Sequence, residues 1–106
     1  MYLKNQDAAV KHPVKGVILK VLSRGGNLMM TEVSFEKGVS LPEHAHYHEQ
    51  ISYIVKGCME FSINGEQKIL YPGDSMYIEG NIPHSVTALE ESIVVDAFTP
   101  QREDFK

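Results

Sequence analysis

Three histidines alternate with other residues in the segment EHAHYHEQ, which covers residues 43–50. In an extended strand, side chains two residues apart project from the same face, so His44, His46 and His48 could present three imidazoles together. A neutral imidazole is the commonest metal ligand in proteins, and this spacing therefore suggests binding of a divalent ion. One strand supplies only one line of side chains, so a closed metal site also requires a ligand from another strand. His84 is the candidate for that ligand.

The composition is that of one small folded domain. The chain has 106 residues, of which 42% are hydrophobic and 23% charged, enough for one core. A formal net charge of -4 argues against a nucleic-acid partner or an anionic membrane surface, since both select basic surfaces. No apolar run approaches the roughly 20 residues that cross a bilayer. The N-terminal residues lack the apolar centre of a secretory signal, and the single cysteine fits a reducing compartment. We therefore expect a cytoplasmic protein with neither nucleic-acid nor membrane partners.

Short segments with strand periodicity recur along the chain, separated by turn residues. Alternating apolar residues or short β-branched blocks predict strands at 14–22, 28–35, 50–55, 59–63, 67–70, 75–78, 85–89 and 93–98. The pair Asn64-Gly65 predicts a type I′ hairpin, because that turn needs positive φ at both central positions. No apolar helical period persists, so the predicted fold class is all-β, closed into a sandwich or barrel. We expect a single domain over residues 1–106, with a barrel at about 14–100, an N-terminal arm at 1–13 and a C-terminal tail at 99–106.

Two spacing patterns resemble the sequence motifs of the cupins. The first cupin motif, G-x5-H-x-H followed by an acid or amide and then a glycine, is matched by Gly38, His44, His46, Gln50 and Gly57. The second motif places its glycine at Gly73 and its histidine at His84. Glu79, Asn81 and Ala88 depart from the proline, glycine and asparagine of that motif, at positions that shape turns and strand ends. The resemblance implies a double-stranded β-helix, also called a jelly-roll barrel.

The resemblance also implies one divalent metal ion, held by a set of four ligands: His44, His46, Gln50 and His84. Three neutral imidazoles suit a first-row ion, and nickel, zinc, manganese and iron all fit this ligand type. The neutral amide of Gln50 leaves the full charge on the ion, which makes the site a better Lewis acid than one with a carboxylate ligand. His48 is not required by the pattern, and we expect it beside the site or in contact with a substrate.

The C-terminal residues resemble one group of cupins, the KdgF-type pectin-degradation proteins. Residues 96–105 read DAFTPQREDF, which matches the D-x-F-[ST]-P-x-R-E-D-[FY] ending of that group. Proteins of this group open the ring of 4,5-unsaturated monouronates, the end products of pectin and alginate lyases, to give linear 4-deoxy-5-hexosulose uronate. The resemblance implies that Asp96, Phe98 and Arg102 join the metal in the active site.

These residue types suit a uronate substrate. If Asp96 faces the barrel interior, apolar surroundings would raise its pKa toward a value useful for proton transfer; on the exterior it would be an ordinary solvated carboxylate. Arg102 can take the substrate carboxylate in a bidentate pair, and Phe98 can form an apolar wall that orients the ring. Without the resemblance, Arg102 would be interpreted as a solvated tail residue paired with Glu103 or Asp104.

The sequence therefore predicts a metal-dependent enzyme that linearises unsaturated uronates, with the uronate as its small-molecule partner and a second copy as its homodimer partner. One alternative is a metal-dependent dioxygenase or other redox cupin, which would use iron or copper and consume oxygen. The other is a non-catalytic cupin that binds a sugar or small acid without turnover. Metal ligands alone leave these alternatives open, because one fold hosts many reactions.

Overall fold

The structure is a computed structural model that describes residues 1–106, and it confirms the all-β prediction. Two 3₁₀ turns lie at Asn5–Asp7 and Glu103–Phe105. None of the helical segments has the length and apolarity needed to span a membrane. The ten strands are β1 (Ala9–Lys11), β2 (Val17–Gly25), β3 (Leu28–Phe35), β4 (Ser40–His44), β5 (Glu49–Lys56), β6 (Met59–Ile63), β7 (Glu66–Leu70), β8 (Ser75–Ile78), β9 (His84–Ala88) and β10 (Ser92–Thr99).

The strands form two antiparallel sheets that enclose one apolar core. The larger sheet has the order β1-β2-β3-β10-β5-β8, and the smaller has the order β4-β9-β6-β7. Both sheets contribute to the core, for example through Met29 and Ile54 of the larger sheet and Met59 and Phe61 of the smaller. Full burial of a side chain of this size stabilises the fold by about 1.5–3 kcal/mol. This core occupies the middle of the sandwich and leaves one end for polar groups.

Three predicted strands, β3, β6 and β8, coincide with the observed ones, and the other predicted strands agree within three residues at each end. Two strands were not predicted, β1 in the N-terminal arm and β4. Both lie at a sheet edge, where short strands with weak alternation are sufficient. Pro42 lies inside β4, and the edge position explains why a residue without a backbone N–H is accepted there.

Turn geometry explains two of the glycine positions. Asn64 and Gly65 have φ values of 49° and 82°, so the hairpin prediction between β6 and β7 is confirmed. Gly57, between β5 and β6, has φ of 90°. A Cβ atom at Gly57 would collide with the carbonyl oxygen of Glu91 and with Ser92. Gly57 is therefore needed both for its backbone conformation and for the close approach of the segment before β10.

Two strand pairs, one from each sheet, position the polar end of the sandwich. In the larger sheet β5 pairs with β10, with Gln50 opposite Phe98 and Ser52 opposite Asp96. All four side chains are buried on the inner face. In the smaller sheet β4 pairs with β9, and His44 lies opposite His84. The register of these pairs brings residues distant in sequence to one end of the fold.

Candidate metal centre and its pocket

Three of the predicted ligands, His44, His46 and His84, form one cluster of imidazoles. His44 ends β4, His84 begins β9, and His46 lies in the connection from β4 to β5. The ring centroids of His44 and His84 are 4.2 Å apart, and those of His46 and His84 are 4.9 Å apart. Their nitrogen atoms lie within 4.8 Å of one another, so small ring rotations would bring all three to about 2.1 Å from one ion.

The histidine run does not form one extended strand. Strand β4 ends at His44 and β5 begins at Glu49, so residues 45–48 form a bent connection between two sheets. His44 and His46 converge because the chain turns between the sheets, and the alternation of side chains along one strand is not the cause. The bend is also what allows His84, on a different strand, to complete the cluster.

Each of the three imidazoles directs its Nδ1 atom at a backbone carbonyl oxygen. A carbonyl oxygen only accepts hydrogen bonds, so the Nδ1–H group is the donor and, in the neutral ring, the Nε2 atom carries a free lone pair. That tautomer is the one a metal ligated through Nε2 requires. The carbonyl groups lie two residues away along the chain, at 2.8–3.1 Å, and belong to Pro42 for His44, His48 for His46 and Ile82 for His84.

Gln50 adds an oxygen atom to the cluster. Its Oε1 atom lies 3.1 Å from Nε2 of His46, while its own amide nitrogen donates to the hydroxyl of Ser52 at 2.9 Å. Since Nδ1 of His46 is the donor to a carbonyl, two acceptor atoms face each other across this 3.1 Å gap. The Nε2 atom of His84 is also buried without a hydrogen-bond partner. Convergent lone pairs that lack a proton between them fit a cation, so the residues present suit a divalent metal ion.

Burial and charge keep two of these imidazoles, those of His46 and His84, neutral. Burial lowers the pKa of His46 to about 4, and the positive charge of Arg102 contributes to the same shift. Burial also lowers the pKa of His84. Both rings are therefore uncharged near neutral pH, which is the form that binds a metal ion.

His48 lies next to the cluster and outside the set of converging nitrogen atoms. The residue is only 6% exposed, its ring centroid lies 5.4 Å from that of His46, and the ring stacks on Tyr47 with centroids 4.0 Å apart. Both ring nitrogen atoms are buried without hydrogen-bond partners. The group of His48 that acts on the cluster is its backbone carbonyl, which accepts the hydrogen bond from His46.

Asp96 lies on the interior face of β10, with 9% of its surface exposed. It is flanked across the sheet by Ser52 on β5 and Thr31 on β3. The hydroxyl of Ser52 donates a hydrogen bond of 2.5 Å to the Oδ1 atom of Asp96. Burial raises the pKa of Asp96 to about 6, while hydrogen bonding from Ser52 and Gln50 and the charge of Arg102 oppose that shift. A carboxyl group with this pKa can exchange a proton near neutral pH.

The C-terminal tail folds back and closes the pocket. The guanidinium carbon of Arg102 lies 4.2 Å from the ring centre of Phe105 and 5.1 Å from that of Phe98. Arg102 does pair with Asp104, through Nε at 3.0 Å and Nη2 at 2.8 Å. It is nevertheless only 9% exposed, so its interpretation as a solvated tail residue is wrong. The hydrogen bonds from Arg102 lower the pKa of Asp104.

One pocket collects most of the residues that the sequence singled out, with His44, Gln50, His84, Asp96, Phe98 and Arg102 among its lining. Ser52 and Phe105 line the same pocket and were not identified from the sequence. The signal for Ser52 was available, because it lies two residues after Gln50 and therefore on the same face of the strand. Phe105 is the last position of the matched C-terminal motif, but its packing against the pocket depends on how the tail folds.

Comparison with known proteins agrees with this architecture. The sequence profile described as "Cupin domain" matches residues 31–98. The pectin degradation protein KdgF of Dickeya dadantii is 40% identical over 92 residues, which cover 85% of this chain and 84% of that protein. The structure of KdgF from Halomonas sp. superposes with a TM-score of 0.93 at 31% identity, covering 100% of this chain and 98% of the other. An RmlC-like cupin from Shewanella frigidimarina gives a TM-score of 0.93 at 30% identity, covering 99% and 95% of the two chains.

Proposed function

The chain belongs to the cupin family and to the KdgF-type group within it, and we propose that it opens the ring of 4,5-unsaturated monouronates to give linear 4-deoxy-5-hexosulose uronate. The observation that carries this proposal is one pocket lined by imidazoles of the histidine cluster, a buried carboxyl group and a buried guanidinium group. The name of the Dickeya relative supports a role in pectin degradation. The same chemistry would serve uronates from alginate.

We propose a single divalent metal ion, nickel, zinc, manganese or iron, with four ligands: His44, His46, Gln50 and His84. The proposal is supported by the converging lone pairs of the imidazoles and of the Gln50 amide oxygen. When bound, such an ion supplies Lewis acidity and fixes the oxygen atoms of a sugar. All four ligands are uncharged in the form that binds, so nothing in this set neutralises the ion.

Asp96 is assigned the transfer of the proton. Ring opening of the cyclic hemiacetal is an isomerisation in which the anomeric hydroxyl loses a proton and the bond from the anomeric carbon to the ring oxygen breaks. The aldehyde forms at the anomeric carbon, and the electron pair of the broken bond stays on the ring oxygen, which becomes the oxygen of an enolate across C4 and C5. The enolate takes one proton at C4 and becomes the ketone. One carboxyl group with a pKa of about 6 can accept the first proton and return the second.

Arg102 and Phe98 are assigned the binding of the substrate. The fork of Arg102 formed by Nε and Nη2 is occupied by Asp104, which leaves Nη1 and one Nη2 hydrogen for another acceptor. A uronate carboxylate can accept both of these hydrogen bonds while Asp104 stays in place. Phe98 packs against His46 with ring centroids 6.0 Å apart and gives the pocket an apolar wall beside the ligand cluster.

The test is turnover of a 4,5-unsaturated monouronate, followed through the ultraviolet absorbance of its double bond. The metal-loaded protein should accelerate loss of this absorbance over the spontaneous reaction. A chelator and, separately, Asp96→Ala should remove the acceleration. If several metals are tried in turn and none gives a rate above the spontaneous one, the proposal is wrong.

We also propose that the chain forms a homodimer through the outer face of the larger sheet. Strand register places Met30, Ala97, Ile51 and Tyr77 in one row across four adjacent strands, with Tyr53 next to Ile51 on β5. The large members of this set are 42–54% exposed. A contiguous apolar patch on a small protein marks an interaction surface, and a sheet face of this shape suits a second copy of itself.

A further inference from the structure

We propose that Ser52 is a positioning residue whose hydroxyl links Asp96 to Gln50 and so directs the amide oxygen of Gln50 at the metal site. Ser52 is 0% exposed and lies on β5, directly opposite Asp96 on β10. This inference rests on the proposed function, because it assigns a role within that same site. It adds a physical connection between the proton-transfer group and a metal ligand.

The direction of the hydrogen bonds follows from the number of protons available. An ionised carboxylate can only accept, so the single proton of the Ser52 hydroxyl goes to Oδ1 of Asp96, at 2.5 Å. The oxygen of Ser52 is then left as an acceptor, and it takes a hydrogen bond from the amide nitrogen of Gln50 at 2.9 Å. A flipped Gln50 amide would set two oxygen acceptors against each other at Ser52.

The orientation of the amide has a direct consequence for the ligand cluster. With its nitrogen held by Ser52, Gln50 must point its Oε1 atom the other way, where it lies 3.1 Å from Nε2 of His46. A metal ion binds the carbonyl oxygen of an amide and not its nitrogen. Ser52 therefore favours the amide orientation in which Gln50 can serve as a ligand, in the same direction as the contact of Gln50 with Asp96.

Thr31 provides a matched control on the opposite side of Asp96. It lies on β3, across the sheet from Asp96, and is 0% exposed like Ser52. Its hydroxyl, however, has no hydrogen-bond partner. The series of hydrogen bonds therefore runs from Asp96 toward Ser52 on β5 and not toward Thr31 on β3. Thr31→Val removes a buried hydroxyl beside Asp96 without breaking the hydrogen bonds that join Asp96, Ser52 and Gln50.

The test measures metal affinity without substrate, by calorimetric titration of Ni²⁺ or Zn²⁺ into wild type, Ser52→Ala and Thr31→Val. Loss of a group that orients a metal ligand weakens binding about 10- to 100-fold, and we expect a loss of this size for Ser52→Ala and no change for Thr31→Val. Equal affinities of all three proteins would overturn the inference, and so would equal losses in both variants.

A second readout needs neither metal nor a folded Ser52 variant. In wild type and Thr31→Val, the side-chain amide protons of Gln50 should be protected from hydrogen exchange in nuclear magnetic resonance spectra. Rapid exchange in wild type would contradict the proposed hydrogen bond. If turnover of the uronate fails while only Ser52→Ala weakens metal binding, the proposed function is wrong and this inference stands. Normal turnover with equal metal affinities overturns this inference alone.

Discussion

Asp96 should make the protein less stable as the pH rises, and Asp96→Asn should remove that effect. Burial raises the pKa of Asp96 from 3.8 to about 6. The folded state therefore binds the proton more tightly than the unfolded chain, so the stabilising contribution is present below about pH 4 and is lost as the pH rises through about 6. A shift of about two pKa units at about 1.4 kcal/mol each corresponds to about 3 kcal/mol. Asn has a similar shape and keeps an oxygen acceptor for Ser52, but it carries no charge.

The assay is urea denaturation of wild type and Asp96→Asn in the presence of a chelator, at about pH 8 and about pH 4.5. Relative to wild type, the variant should gain about 3 kcal/mol in free energy of unfolding at the higher pH and about 1 kcal/mol at the lower. Glu79→Gln, which neutralises an exposed acid, should shift the free energy by no more than about 0.5 kcal/mol at either pH. A difference between wild type and Asp96→Asn that does not change with pH would refute the assignment of a raised pKa.

Three further predictions concern the substrate contact, the turn before β6 and the sheet face. Arg102→Lys should raise KM for the uronate about tenfold and change kcat much less, because Lys lacks the two donor edges with which the guanidinium can hold Asp104 and a substrate carboxylate at once. An unchanged KM in steady-state kinetics would exclude the contact. Gly57→Ala should lower the free energy of unfolding by about 2 kcal/mol or more, since it adds a Cβ at positive φ against Glu91. A variant as stable as wild type in urea denaturation would contradict this. Ile51→Glu should shift the mass measured by light scattering from dimer to monomer, and a wild-type protein that is already monomeric would disprove the proposed interface.

Much of the fold could be predicted because most strands carry their own alternation. Strands β3, β6 and β8 alternate between more and less buried positions, even though β8 lies at a sheet edge, and their bounds were obtained without error. The edge strands β1 and β4 could not be found in this way. An edge strand needs only one partner and little core contact, so its sequence is free to include Pro42 and several charged or polar residues.

The sequence identified most residues of the site, but it did not predict how they are arranged. Motif spacing identified His84 as a partner of the histidine run, but it did not predict that the chain bends between His44 and Glu49. Alternation also placed Asp96 on one face of β10 without deciding which face is interior, because that depends on the sheet packed against it. The burial of Arg102 could not be derived from a polar, charged tail, since it depends on stacking against Phe98 and Phe105.

The most direct test of the central claim is the rate of loss of the double-bond absorbance of a 4,5-unsaturated monouronate, measured with and without oxygen. Ring opening by proton transfer has no redox step, so the metal-loaded protein should give the same accelerated rate under air and under nitrogen. The product should be the linear 4-deoxy-5-hexosulose uronate in both cases. A rate that disappears without oxygen would contradict the account and favour a redox cupin, and a rate no faster than the spontaneous reaction would contradict it altogether.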